Sequence, residues 1–263
     1  MGLVSGSANT TGATTTGANT TGATTTEPAT EPARDARLER REALRSQVMA
    51  ATPRWYSPWF HLLFPSLVGL GVAGVALGQV RALRPVELLL PLAVWVLANA
   101  TEWRAHKSLL HHRTPGFAPL FEQHTPMHHG IFVTEAMEIR GLRELRLVLI
   151  PPYGILLILL ATAPFTALLW WAGQPNLAGL FLATCMLYVL SYEWLHLAYH
   201  LPQDGPIGRR WLVRVLRRHH AAHHDPALMQ RWNFNVTLPL WDWVRGTIHR
   251  PATPGAGGQG GDP

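Results

Sequence analysis

The charge-free stretches of the chain set out its membrane-crossing pattern. From Leu147 to Tyr192 no side chain is charged, a run of 46 residues, where one helix needs about 20 to cross a bilayer. Gly173, Gln174, Pro175 and Asn176 interrupt that run where a turn is needed, which predicts spans at roughly 147–172 and 177–195. An earlier span is expected from Phe60 to Val80. Another is expected from about Pro85 to Trp103, with Glu87 and Glu102 at the interfaces because the charge-free part, Leu88 to Thr101, is short. The expected fold is all-α, an integral membrane protein with about four transmembrane helices and a cytosolic helical cap.

The flanking segments read differently. Residues 7–26 are a tandem decapeptide, SANTTGATTT then GANTTGATTT, too poor in large apolar side chains to offset the entropy of ordering, so 1–33 is expected to be a disordered tail. Its first residues lack the basic and apolar regions of a signal peptide. Residues 34–54 mix Arg and Glu with Leu38, Leu44 and Val48, the pattern of a basic juxtamembrane helix with no part in chemistry. Residues 55–250 form the expected membrane domain, and the Gly/Pro-rich 251–263 a second disordered tail.

Composition agrees with a membrane protein: 48% of residues are hydrophobic and only 14% charged, against about 25% charged in soluble domains. The net charge of +6 does not call for nucleic acid, because the basic residues follow membrane topology. Arg34 to Arg54, then Arg104 to Arg146, then Arg209 to Arg250 hold most of them. Placed on the cytoplasmic face these three segments satisfy the positive-inside rule, and both termini are then cytoplasmic. Arginine so outnumbers the single Lys107 that a bacterial inner membrane is the expected location. The one cysteine, Cys185, lies inside a span, which excludes a disulfide framework and a Cys-based zinc site.

Twelve of the fourteen histidines fall in four clusters: His106 with His111 and His112, His124 with His128 and His129, His196 with His200, and His219 with His220, His223 and His224. With four spans all of them emerge on one face, whereas an odd number would split them. Imidazole is a common ligand for zinc, iron and copper and is ill suited to lipid or a dry core. His196 and His200 are one helical turn apart and can point at one ion. His220, His223 and His224 lie within about a 100° sector of a helix, a compact fan, and His219 points away.

His106 and His111 are roughly 140° apart on a regular helix, so they serve two ions unless a helix end or a π-bulge lies between them. Pro126 suggests a turn or a new helix start among His124, His128 and His129. The ten candidates His106, His111, His124, His128, His129, His196, His200, His220, His223 and His224 exceed what one ion takes, about four to six donors, and so imply two metals. Glu102, Glu193 and Asp225 are candidates for orienting the imidazoles, with His112 and His219 as further supporting groups. His61 and His249 lie outside the clusters and read as ordinary hydrogen-bonded residues.

The order HxxxxH, HxxxHH, HxxxH, HxxHH, with two apolar spans between the second and third clusters, resembles the fatty acid hydroxylase and sterol desaturase superfamily of membrane histidine-box oxygenases. The ending Leu240-Trp241-Asp242 … Gly246-Thr247 is similar to that family's as well. The resemblance covers about residues 60–250 and departs from the pattern at the second cluster, where many members have HxxHH. It implies two Fe ions, with Zn an alternative in isolated protein, and O2 as co-substrate. The implied reaction is hydroxylation of an alkyl carbon of a lipid, with electrons from an external ferredoxin- or cytochrome b5-type donor. A desaturase or carotenoid hydroxylase on the same scaffold and a non-catalytic membrane metal-binding protein are the alternatives.

Overall fold

The computed structural model describes residues 31–251, which are helical with no β-strand among them. The tails expected to be disordered lie outside the described residues, apart from Glu31–Ala33 at the start of a helix and Pro251. The described residues divide at Leu38 into two units, Glu31–Leu38, which opens α1 (Glu31–Ala50), and the chain from Glu39 to Pro251.

Four helical segments are long and apolar enough to cross a membrane: Pro58–Gly78 (α2), Pro85–Leu110 (built on α3, Leu89–Ala105), Gly154–Trp171 (α7) and Pro175–His200 (α8). The protein is an integral membrane protein. Leucines such as Leu67, Leu92, Leu97 and Leu160 face outward, as lipid requires of helices whose backbones are already satisfied internally.

Helix α8 is the central span. It packs on α2 through Ala73, Ala76, Ala183 and Met186, and a Cβ at Gly179 would come 2.6 Å from the Ala76 carbonyl oxygen. Only glycine lets the two backbones approach so closely. At the ends of the spans away from the histidines, Asn176 ties the two connections together, bonding the Arg81 backbone and the Glu87 carboxylate.

The third span is shorter than the charge-free run predicts. Pro151 and Pro152 break the helix, and Leu147, Val148 and Leu149 are buried in the cap instead of facing lipid. Absence of charge marks burial as well as membrane, and only the two prolines mark the boundary. The second span runs further than expected, to Leu110, because its last turn is π-helical.

The cap comprises α4 (Ala118–Glu122), α5 (His129–Ile131), α6 (Leu145–Val148), α9 (Trp211–His223), α10 (Leu240–Arg245) and the connections between them. The latter half of α1 is part of its core and no mere surface helix. Val48 packs with Ile131, Phe132, Leu147 and Val148, and Arg45 makes two bonds, of 2.8 and 2.9 Å, to the buried Glu144 carboxylate. Arg140 bonds Glu42 at 2.6 and 2.7 Å and holds that carboxyl down at about 2.

Candidate metal centre

The ten clustered candidates meet in the cap as two groups of five, each able to hold a metal ion. His106, His111, His124, His129 and His223 form group one; His128, His196, His200, His220 and His224 form group two; all ten are buried. The groups adjoin, with the His129 and His224 rings stacked at 4.3 Å between centroids.

Local helix geometry explains this sorting. His106–Leu110 is a π-helical turn, and its i to i+5 period brings His106 and His111 to the same side, with rings stacked at 5.1 Å. They share one group and do not serve two. Gln123–His128 is a second π-helical turn with Pro126 inside it, neither a turn nor a helix start. It places His124 and His129 together, with Nε2 atoms 3.1 Å apart, and sends His128 to group two. The fan on α9 also divides: His220 and His224, one turn apart, enter group two, and His223 faces group one. Helix α9 lies along the seam, so neighbouring positions on it reach different groups.

The hydrogen bonds fix which ring nitrogen faces inward. The Nδ1–H groups of His106, His128, His200, His223 and His224 donate to backbone carbonyls of Phe234, Leu147, Met137, Trp232 and Phe132. Thr125 gives its hydroxyl proton to Leu110 O at 2.6 Å, so its oxygen accepts from His111 Nδ1–H at 3.2 Å. These bonds leave the Nε2 lone pairs of the six rings pointing inward.

One pair of inward nitrogens is closer than two unprotonated lone pairs tolerate without a cation. His111 Nε2 and His223 Nε2 stand 2.9 Å apart, and with both protons already committed at Nδ1 neither has one to share. The buried Nε2 of His200 has no partner at all. Two facing lone pairs in a dry interior are costly unless a cation lies among them. Imidazole donors at about 2.0–2.1 Å from one ion are about 2.9–3.4 Å from each other. The pairs His106–His124, His220–His224 and His128–His196 stand 2.9, 3.0 and 3.3 Å apart, so the donor set fits a metal in each group.

Burial, with neighbouring imidazoles adding to it, holds His111, His124, His129, His220 and His224 below the usual histidine range. His223 is held down by burial too. His128 falls to about 3, burial outweighing its bond to Leu147 O. Neutral imidazole is the form that ligates.

The five supporting residues expected beside the rings take other roles. Glu102 touches no histidine; it accepts from Tyr188 OH, from Val236 N and from both the N–H (3.1 Å) and the hydroxyl (2.6 Å) of Thr237. Glu193 accepts the Ile150 N–H just before the proline pair, and Asp225 caps its own turn at Ala227 N. His112 is exposed and bonds Lys107 O. Backbone carbonyls already occupy the Nδ1 side of His106, His128, His200, His223 and His224, where a carboxylate would add charge to a dry site.

His219 is one step removed from the rings. It donates to Asp242 at 3.1 Å, and Asp242 also accepts from Phe234 N, Asn235 N and Thr247 Oγ1 at 3.0, 2.7 and 2.6 Å. Burial pushes the Asp242 carboxyl up, but these hydrogen bonds prevail and it stays below the usual range. Asn233 in the same loop has φ 59°, a left-handed conformation that Asn tolerates. It turns the chain so that Trp232 O and Phe234 O reach two different rings. The carbonyls carry no side-chain signature in sequence; the Leu-Trp-Asp…Gly-Thr ending is the one signal that points to them. His61 bonds Tyr56 OH and Ile150 O, as an ordinary buried histidine does.

A cavity of about 70 Å3 reaches both groups, touching His124, His128 and His196. Its walls are Leu110, Leu120, Leu147–Pro151 and Tyr192, with Gln123 the further polar residue. The chain therefore holds two candidate metal sites beside an apolar pocket at the end of the membrane spans.

No curated protein and no solved structure matches the chain significantly. Residues 91–247 match the family model for fatty acid hydroxylase, a stretch that contains all ten grouped histidines, the cavity and Asp242. The chain belongs to the fatty acid hydroxylase family of lipid-modifying membrane oxidoreductases.

Proposed function

We propose that the protein is an O2-dependent di-iron membrane oxygenase that hydroxylates an alkyl carbon of a lipid. The observation that carries this reading is the pair of facing Nε2 lone pairs of His111 and His223, 2.9 Å apart with no proton between them, in one of two five-histidine groups beside an apolar cavity. Iron in both groups supplies O2 activation and oxidation of an unactivated carbon, chemistry that side chains alone lack. The neutral imidazoles hold the ions, and backbone carbonyls fix the rings of His106, His128, His200, His223 and His224. Leu110, Leu120 and Leu147–Pro151 exclude water and position the chain to be oxidised.

The walls of the cavity favour an acyl chain: apart from the histidines, Gln123 and Tyr192 they are leucine, valine, isoleucine and proline, so a fatty acyl lipid is the substrate class. Electrons come from an external ferredoxin- or cytochrome b5-type donor. The arginine distribution supports a bacterial inner membrane with both termini and the histidine cap on the cytoplasmic side.

The test is metal and lipid analysis together. Purified protein is expected to carry about two metals per chain, iron natively and zinc where it substitutes, and expressing cells are expected to gain a hydroxylated lipid. His220→Ala with His224→Ala is expected to abolish that lipid. An unsaturated product would place the reaction with desaturation, and folded protein without bound metal would overturn the reading.

A further inference from the structure

Two buried phenylalanines lead away from the histidine rings, and they end differently. Phe132 lies 5.3 and 4.6 Å from the rings of His128 and His200, in group two. Over it, at 5.4 Å, is the Arg45 guanidinium, buried and neutralised by Glu144. Phe234 touches only group one: His106, His111 and His223 at 6.0, 6.1 and 5.6 Å. Its outer neighbour is Trp103, edge-on at 5.8 Å and fixed by an Nε1–H bond to Thr247.

Two cations cover Trp103: Lys107 Nζ at 5.0 Å and Arg245 Cζ at 5.4 Å, with Lys107 also 5.6 Å from Phe234. Neither has a carboxylate partner among the described residues, Arg245 is exposed and Lys107 half-buried. Arg104, next to Trp103, is exposed as well. From Pro226 to Arg250 the sole carboxylate, Asp242, is buried, while Arg231, Arg245 and Arg250 are exposed. The surface over the tryptophan is thus positive, and aromatic contacts join it to the first group alone.

We propose that this patch is the docking port for an acidic one-electron carrier protein, with Trp103 and Phe234 bridging from it to group one. The proposal rests on the oxygenase reading above. One electron leaves the reduced centre of the carrier, which is oxidised, and takes a ferric ion in group one to ferrous; no proton or leaving group moves. A one-signed surface steers an oppositely charged partner, and packed aromatic rings shorten the gap an electron must tunnel. Phe234 touches none of the three histidines that line the lipid cavity, so donor and substrate do not share an entrance.

The test uses the full chain in nanodiscs, with Lys107→Glu/Arg245→Glu and Trp103→Leu as variants. Oxidised [2Fe–2S] ferredoxin, an acidic carrier, is titrated against zinc-loaded protein, where no turnover occurs. Iron-loaded protein is then reduced by dithionite, an anionic donor, and by the methyl viologen radical cation. The double charge reversal is expected to weaken ferredoxin binding at least tenfold at low salt and to flatten its salt dependence. It is also expected to invert the preference for the anionic over the cationic small reductant. Trp103→Leu with unchanged metal content is expected to slow reduction at least tenfold without altering binding.

A charge-reversed protein that keeps its metal and shows unaltered ferredoxin binding and unaltered reduction overturns the port, including the case in which the cations hold lipid headgroups. A wild-type iron centre that neither small reductant reduces overturns the oxygenase reading and the port with it.

Discussion

The two histidine groups have the same composition, five buried imidazoles each, but different parts of the chain hold them. In group one, His106 and His223 are fixed by the Phe234 and Trp232 carbonyls of the C-terminal loop. Two buried carboxylates anchor that loop, Asp242 through Phe234 and Asn235 and Glu102 through Val236 and Thr237. In group two, His128, His200 and His224 are fixed by carbonyls of Leu147, Met137 and Phe132. That central segment is braced by α1, through Val48 and the Arg45–Glu144 pair. The difference shows how a dense imidazole site tolerates nearby charge: the carboxylates act one backbone segment away from the rings, which stay neutral.

The sharpest way to break the comparison is on α9. His223→Ala and His220→Ala lie one turn apart, yet each is expected to empty a different group, lowering metal content from about two to about one per chain and product to background. Elemental analysis with a product assay checks this. Loss of both metals in either variant would mean that the groups are not independent.

Next is the brace on group two. Arg45→Met leaves Glu144 buried without its partner, and breaking such a pair costs about 3–5 kcal/mol. Denaturant unfolding in detergent is expected to show that loss, and Arg45→Met with Glu144→Leu to recover most of it. The metal lost first from the single variant is expected to be that of group two.

Asp242→Asn tests the other brace. Replacing a supporting group behind a ligand lowers metal affinity about 10–100-fold, here expected at group one only. Competition with a graded series of chelators resolves the two affinities, and equal weakening of both would end the distinction between the braces.

Acidification is the control in which the groups are alike. Burial depresses imidazoles of both, His128 from 6.5 to about 3, so the neutral rings contribute stability above pH 6.5. Metal-free protein is expected to lose it as the pH falls from 6.5 towards 3, by at most about 1.4 kcal/mol per pH unit for each such histidine. Thermal unfolding of chelated protein against pH measures this, and flat stability between pH 6.5 and 5 would contradict it.

Much of the molecule was legible in the sequence. The spans follow from charge-free length, since a bilayer imposes its thickness on any crossing helix, and the ten histidines stand out because lipid and dry cores disfavour imidazole. The start of α7 lies beyond the beginning of the charge-free run because Leu147–Leu149 are apolar for a different reason, burial under the cap. The carboxylates Glu102, Glu193 and Asp225 bond backbone or hydroxyl groups and not the rings, because spacing along a helix gives direction and not what else occupies that direction.

The sequence by itself determined the class of protein: the number of spans, the shared face of the histidine clusters and the donor type. Tertiary structure decided the partition into two groups of five. Residues as close as His128 and His129, or His223 and His224, go to different groups because two π-helical turns reset the angular period and α9 runs along the seam. Those choices depend on backbone hydrogen bonds and packing between segments more than a hundred residues apart, such as His106 and Phe234, and no local pattern encodes them.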